Sequence, residues 1–166
     1  WLAQVRATSF YWNNGEAVMG CRSGKCASDV VALGNPLLWW VGIGALLLVI
    51  LATFYYRNWR VGIIALGYIA LYVPWLAYAH RTIFIFYTVA FAPYVALAVA
   101  WMIGLLAGWV TIDGSREPAP ASRRTQITGW VFAGLVTAAI LACALYFLPL
   151  WRGDVIDYDF WRAHMW

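Results

Sequence analysis

The stretch HRTIFIFYTVAFAPY opens with a histidine and an arginine, His80 and Arg81, at the mouth of a long apolar run. The guanidinium of Arg81 is planar and permanently charged, which matches the geometry of a phosphate group. The sequence therefore predicts that Arg81 binds a phosphate, while His80 either assists it or marks a turn. An alternative stays open, because an arginine near the end of a membrane helix also extends toward water and lipid phosphates without a specific ligand.

Aromatic side chains follow these two residues at steps of three and four: Phe84, Tyr87, Phe91 and Tyr94. This spacing is typical of one face of a helix. An aromatic face below a phosphate-binding arginine would suit an isoprenoid chain, with Tyr87 adding a hydroxyl group. Ordinary helix packing also produces such a stripe, so both interpretations remain open.

Two cysteines, Cys21 and Cys26, lie close together in the turn-like segment GCRSGKC. This pattern predicts a short disulfide loop in an oxidising compartment. The alternative is a pair of metal ligands, but no second CxxC or nearby histidine completes a metal motif. The third cysteine, Cys143, lies within an apolar segment and is predicted to be a small buried side chain.

Acidic residues are absent from the apolar segments, so these segments offer no general base. Near the end of the chain, Asp154, Asp157, Asp159 and His164 match no strong metal motif, and a solvated tail is the favoured interpretation. The sequence therefore predicts neither a metal site nor a cofactor, and it assigns no catalytic residue. If the protein is a membrane enzyme, its catalytic carboxylate lies either in an outer loop or outside this chain.

The composition indicates a membrane protein. Of the 166 residues, 64% are hydrophobic and only 11% are charged, whereas soluble domains carry roughly a quarter charged residues. The net charge of +4 comes from basic residues scattered at segment ends, where flanking positive charge is normal, so nucleic-acid binding is not predicted.

We predict an all-α integral membrane fold with about four transmembrane helices and an external loop that contains the disulfide. The predicted spans are 36–56, 61–79, 82–110 and 127–150. As one helix the third span would be roughly 40 Å or longer, which exceeds a hydrocarbon core of about 30 Å. The span is therefore expected to tilt, to kink or to extend beyond the bilayer, and Pro93 is the expected position of a kink.

The predicted topology is that of a multi-pass cell-membrane protein. The external loop region is 1–35, the four-helix region is 36–150 with a cytoplasmic linker at about 111–126, and the external interfacial tail is 151–166. Basic residues are nearly balanced between the two sides, so orientation depends on the predicted disulfide. Because the chain does not begin with Met, we expect a fragment of a longer protein.

An ordered set of motifs resembles the C-terminal part of protein O-mannosyltransferases, most closely the actinobacterial kind. The set comprises RATSFYW, GC…C, ALGNPLLWW, HRTIFIFYTVAFAPY, YFLP and YDFWRAHMW. The resemblance implies a GT-C glycosyltransferase that moves mannose from polyprenyl-phosphate mannose to Ser or Thr of a secreted polypeptide. It also implies that the catalytic carboxylate lies in the N-terminal remainder of the enzyme. This remainder and the membrane lipids are the implied partners of the present chain.

The same resemblance implies roles for individual residues. Arg81 and Tyr87, with His80 beside them, match the family's basic and aromatic stretch and are predicted to contact the donor phosphate and the lipid entrance. Arg6 and Thr8 match an external R-P-T stretch, in which Ala7 here replaces the proline.

Three alternatives remain at this stage. A non-catalytic four-span scaffold or assembly subunit fits the absence of acidic residues from the spans equally well. A small transporter fits less well, because transporters usually carry polar residues or broken helices within paired repeats. A related enzyme that moves a different lipid-linked sugar also fits, since the fold does not determine the sugar.

Overall fold

The computed structural model describes residues 4, 7–14, 20–21, 25–78, 80, 84–115 and 122–165. Its elements, in chain order, are β1 (Thr8–Asn14), β2 (Cys26–Ala32), α1 (Pro36–Phe54), α2 (Trp59–Leu76), a 3-10 segment (Ile85–Ala90), α3 (Ala92–Leu106), α4 (Arg123–Arg152), β3 (Ile156–Asp157) and α5 (Tyr158–Ala163). The predicted predominantly helical membrane fold is confirmed.

Within the described ranges, three helices are long and apolar enough to cross a membrane, namely α1, α2 and α4. They correspond to the first, second and fourth predicted spans. The third predicted span is divided, because residues 85–90 form a 3-10 segment and α3 begins at Ala92. The prediction of one long helix kinked at Pro93 is therefore wrong. Pro93 lies in the first turn of α3, where its missing N–H leaves no hydrogen bond unmade.

Helix α1 begins at Pro36, as predicted, and Asn35 caps it. The Asn35 Oδ1 accepts a hydrogen bond from the Leu38 N–H at 3.0 Å, which satisfies one of the free donors of the first turn. The other side of the same amide donates from Nδ2 to the Ile140 carbonyl at 2.8 Å. Asn35 therefore fixes the start of α1 to the middle of α4.

Close packing of α1, α2 and α3 forms the larger apolar core, which contains Trp39, Val49 and Phe91. Glycines allow the helices to approach, since a Cβ at Gly42 would collide with Val95 and one at Gly67 would collide with the ring of Tyr94. Without a hydrophobic effect between helices in lipid, such close contact is a main source of association.

The loops group at two opposite ends of the bundle. At one end the α1–α2 turn meets the loop after α3, where Asn58 Nδ2 donates to the Ile112 carbonyl at 3.2 Å. At the other end, β1, β2 and the segment after α4 lie together, and Ser28 Oγ donates to the Gly153 carbonyl at 2.9 Å. We call these the loop end and the sheet end.

A small antiparallel sheet in the order β1-β2-β3 forms the sheet end, and the sequence analysis did not predict it. The central strand β2 has the sequence CASDVVA and is mostly buried. Its third partner comes from far along the chain, with Cys26 opposite Asp157 and Ala27 opposite Ile156. The predicted disulfide between Cys21 and Cys26 is confirmed, and it anchors the start of β2.

We expect Asn35→Ala to destabilise the protein by about 1–3 kcal/mol, because it removes a helix cap and leaves a carbonyl in α4 without its side-chain donor. Thermal unfolding of the detergent-purified protein should show a lower midpoint. Asn14→Ala, at an exposed position of β1, is the control and should leave the midpoint unchanged. Equal midpoints for the two variants would contradict the proposed tie between α1 and α4.

Candidate functional site

The structure describes two of the four predicted substrate-binding residues. His80 is exposed in the turn that follows α2. Tyr87 is half-buried in the 3-10 segment. Arg81 and Arg6 lie outside the described residues, so their predicted roles are not tested. Phe84, three positions after Arg81, has an extended backbone and caps the 3-10 segment.

Tyr87 belongs to an aromatic cluster at the sheet end. Its ring centroid lies 4.6 Å from that of Trp75 and 4.7 Å from that of Phe86. Phe84 and Phe86 stack at 5.3 Å, and Phe86 also reaches Phe10 of β1 at 5.7 Å. The cluster therefore joins the end of α2, the 3-10 segment and the sheet.

The predicted single aromatic face is wrong, because the backbone changes conformation within it. Phe91 points into the helical core, where its ring meets Trp39 at 5.9 Å and Tyr68 at 5.3 Å. Tyr94 packs against Gly67 of α2. Steps of three and four occur in both 3-10 and α-helices, so the spacing did not reveal that Phe84 and Tyr87 separate from the other two rings.

A cavity of about 310 Å³ lies at the sheet end, between the end of β2, the start of α1 and the 3-10 segment. We call it the sheet-end cavity; its lining is Gln4, Ala32, Leu33, Gly34, Trp39, Ile85, Phe86, Thr88, Val89 and Ala92. Most of these side chains are apolar and none of them is acidic or basic. The lining can accommodate a section of a hydrocarbon chain but offers no general acid or base.

The 3-10 segment, which departs from regular α-helix geometry, forms one wall of this cavity. The Thr88 hydroxyl donates to the Ile85 carbonyl at 2.7 Å, and the Tyr87 and Phe91 N–H groups donate to the Phe84 and Thr88 carbonyls at 3.2 Å each. In a membrane protein, backbone outside a regular helix is tolerated only where protein covers it or where it lines a cavity. The 3-10 segment lines the cavity, and its residues Ile85 and Thr88 are buried by protein, whereas Val89 is exposed.

The opposite wall is held by a polar contact that sequence reasoning missed. Gln4 is fully buried, and its Oε1 accepts a hydrogen bond from the Gly34 N–H at 2.8 Å. The Gly34 backbone also lies so close to the Trp39 indole that a Cβ there would collide with it. Nothing in the sequence marks Gln4, since a lone glutamine in a polar segment has no characteristic spacing.

A second polar network fixes the tail to the sheet. The carboxylate of Asp29, a residue only 2% exposed, accepts hydrogen bonds from Ser9 Oγ at 2.6 Å and from Trp161 Nε1 at 2.8 Å. Both carboxylate oxygens are therefore paired, which offsets the cost of burying the charge. Asp29 connects β1, β2 and α5.

The tail is solvated only in part, because Asp157 and Asp159 are exposed as predicted but His164 is not. His164 is 1% exposed, and its ring stacks on Tyr146 at a centroid distance of 4.0 Å. Its Nδ1 lies 2.7 Å from the Phe160 carbonyl and its Nε2 lies 3.3 Å from the Tyr146 carbonyl. His164 is thus a packed residue that connects the tail to α4. In the described part of the chain, no group of three His, Cys, Asp or Glu side chains could hold a metal ion.

These features define a membrane protein whose sheet-covered end contains an apolar cavity beside an aromatic cluster. No family model matches the chain, and no solved structure matches it significantly. It is, however, similar over its whole length to the C-terminal part of a curated actinobacterial protein.

That protein is a polyprenol-phosphate-mannose–protein mannosyltransferase of Mycolicibacterium smegmatis, 26% identical over 166 residues, or 100% of this chain and 30% of the relative. A protein of the same name from Mycobacterium tuberculosis is 24% identical over 149 residues, or 90% of this chain and 27% of the relative. A protein of the same name from Corynebacterium glutamicum is 27% identical over 143 residues, or 86% of this chain and 26% of the relative. The chain spans less than a third of the length of these relatives, and its resemblance to mannosyltransferases is confirmed.

We expect Trp161→Phe to lower the stability of the sheet end by about 1–3 kcal/mol, because it removes one of the two donors to the buried Asp29 carboxylate. Trp130→Phe, at an exposed position of α4, is the matched control. Thermal unfolding midpoints should fall for the first variant only. In a double-mutant cycle with Asp29→Ala, which removes both acceptor oxygens, additive effects of Asp29→Ala and Trp161→Phe would contradict the hydrogen bond between these two residues.

Proposed function

We propose that this chain is the C-terminal membrane portion of an enzyme that transfers mannose from polyprenyl-phosphate mannose to Ser or Thr of secreted polypeptides. The observation that carries the proposal is the similarity of the whole chain to proteins named polyprenol-phosphate-mannose–protein mannosyltransferase. Those names do not favour the alternative of a non-catalytic scaffold.

The sheet end is our proposed donor site. In sequence, Arg81 precedes the cavity-lining residue Ile85 by four positions, and Arg6 follows the cavity-lining residue Gln4 by two. Both cations are thus proposed to meet the donor phosphate, with His80 beside Arg81. A guanidinium at such a place provides two parallel hydrogen bonds to phosphate oxygens.

The polyprenyl chain is proposed to run from that phosphate past Tyr87 and into the sheet-end cavity. The support is chemical, since the cavity wall is mostly apolar and includes Phe86, whose ring adjoins that of Tyr87, which in turn adjoins that of Trp75. Flat aromatic rings offer a large contact area to the planar double-bond units of an isoprenoid chain. They also lose little conformational entropy on binding, because few bonds in them rotate.

The catalytic base is proposed to come from another part of the full-length enzyme. Transfer of mannose to a hydroxyl group requires a base to accept the hydroxyl proton, and no residue that lines the described cavity is acidic. This chain would therefore bind and orient the donor lipid, while the remainder of the protein supplies the carboxylate.

We also propose that the sheet end faces the extracytoplasmic side, with regions 1–35 and 151–166 there and the 111–126 linker in the cytoplasm. The disulfide Cys21–Cys26 supports this orientation, because disulfides persist in oxidising compartments. The secreted acceptor polypeptide would then approach from the same side as the donor phosphate.

We expect Arg81→Gln in the full-length enzyme to raise the KM for polyprenyl-phosphate mannose roughly tenfold or more, because a charge-assisted contact to phosphate is lost. The assay measures mannosyl transfer to a Ser/Thr peptide in membranes at matched expression. The control is Arg162→Gln, an exposed arginine at the same end of the bundle, which should leave the KM within about twofold.

Two results would count against the proposal in different ways. Equal KM values for Arg81→Gln and the wild type would make Arg81 an interfacial anchor without a role in donor binding. No transfer by the folded wild-type enzyme would contradict the mannosyltransferase activity itself.

A further inference from the structure

A second concave surface lies at the loop end of the bundle, opposite the sheet-end cavity. It has a volume of about 480 Å³ and lies between the last turn of α3 and the first turns of α4. We call it the loop-end groove; its lining is Leu105, Leu106, Arg124, Thr125, Thr128, Gly129 and Phe132. None of the residues assigned to donor binding contributes to it.

The groove lies where α3 ends against α4. A Cβ at Gly129 would collide with the Leu106 carbonyl, so the two backbones are in direct contact there. The residues of α4 that precede this contact, among them Thr125 and Thr128, line the groove beside the end of α3. The hydroxyl of Thr128 donates to the Arg124 carbonyl at 2.9 Å, so this hydroxyl is already hydrogen-bonded within α4.

The two halves of the groove differ in chemistry. Leu105, Leu106 and Phe132 make one half apolar, while Arg124 supplies a permanent positive charge at the other. Trp109 and Trp130, whose rings meet at 4.8 Å, lie beside it and mark the depth at which a bilayer passes into water. The groove therefore lies where a lipid headgroup joins its acyl chains.

The charge of Arg124 has no acidic partner in the described part of the chain, where the ion pair is Arg152 with Asp154. Asp113, in the loop after α3, is engaged within its own turn. The Ser115 N–H donates to Asp113 Oδ1 at 3.1 Å, and this backbone hydrogen bond holds the pKa of Asp113 below its usual range. The carboxylate is thus ionised at neutral pH yet does not neutralise Arg124.

We propose that the loop-end groove binds an anionic phospholipid of the surrounding bilayer. The lipid phosphate pairs with the Arg124 guanidinium, and one acyl chain lies along Leu106 and Phe132. Charge complementarity selects the anionic headgroup, because a basic side chain near the membrane surface favours an anionic lipid about fivefold even without a shaped site. The bound lipid fills the gap between α3 and α4 that the two helices leave open.

The test is native mass spectrometry of the full-length protein released from nanodiscs of phosphatidylglycerol and phosphatidylcholine. The wild type should retain phosphatidylglycerol in preference to phosphatidylcholine. Arg124→Gln should weaken that retention roughly tenfold or more, because a direct ionic hydrogen bond is lost. Arg123→Gln removes the same charge from the same turn but outside the groove, and should weaken it by about fivefold or less.

Thr128→Leu separates shape from charge, since it fills the groove and leaves the net charge unchanged. It should abolish preferential retention of phosphatidylglycerol, with an unaltered thermal midpoint as evidence of folding. If Thr128→Leu does not fold, the comparison of Arg124→Gln with Arg123→Gln tests the proposal by itself. Equal losses for Arg123→Gln and Arg124→Gln, or equal retention of the two lipids by the wild type, would overturn the proposal.

Discussion

The hydrogen-bonding demand of the backbone in lipid is the constraint on which the sheet end depends. Helix α3 has 15 residues and is therefore about 22 Å long, shorter than a hydrocarbon core of about 30 Å. The remaining distance is covered by the 3-10 segment, whose hydrogen bonds are fewer and less well aligned than those of an α-helix. Such a segment is stable at that depth only if other parts of the protein exclude lipid from it.

The sheet and the start of α1 cover one side of the segment, where Ile85 and Thr88 are buried. Phe86 of the 3-10 segment contacts Phe10 of β1, and Ile85 belongs to the apolar cluster that also contains Val31 and Leu33 of β2 and Leu150 of α4. The sheet is in turn held by the disulfide, by the Asp29 network and by the tail. A sheet whose third strand has only 2 residues is close to a two-stranded hairpin and would be marginal by itself, so each of these connections matters to the site it covers.

The same arrangement explains why a cavity occurs at this end. A continuous helix would pack its side chains against α1 at regular intervals, as α3 does along Val95 and Val99. The 3-10 segment changes the direction in which its side chains point, so Phe91 enters the core while Phe86 and Val89 line open space. The apolar space that remains is the proposed path of the donor lipid, and the nearby sequence contains the proposed phosphate ligands.

The parts that could be predicted from sequence are those with a local or compositional cause. The long apolar helices follow from hydropathy, the start of α1 from Asn35-Pro36, and the disulfide from two closely spaced cysteines. The sheet could not be predicted in this way, because its cohesion comes from contacts such as Ser28 with Gly153 and Asp29 with Trp161, which join residues more than 100 positions apart. The division of the third span was missed because its apolar composition continues unbroken through the change of backbone conformation, and the cavity was missed with it.

The proposed path of the donor lipid can be tested most directly by photo-crosslinking. The probe is a polyprenyl phosphate with a diazirine on its first isoprene units, and it is crosslinked to the full-length protein in membranes. Crosslinked peptides should map to 84–92 and 32–39 and should disappear when unlabelled polyprenyl-phosphate mannose is added in excess. Crosslinks confined to the exposed faces of α2 and α4, and insensitive to that competitor, would show that the sheet-end cavity does not hold the donor lipid.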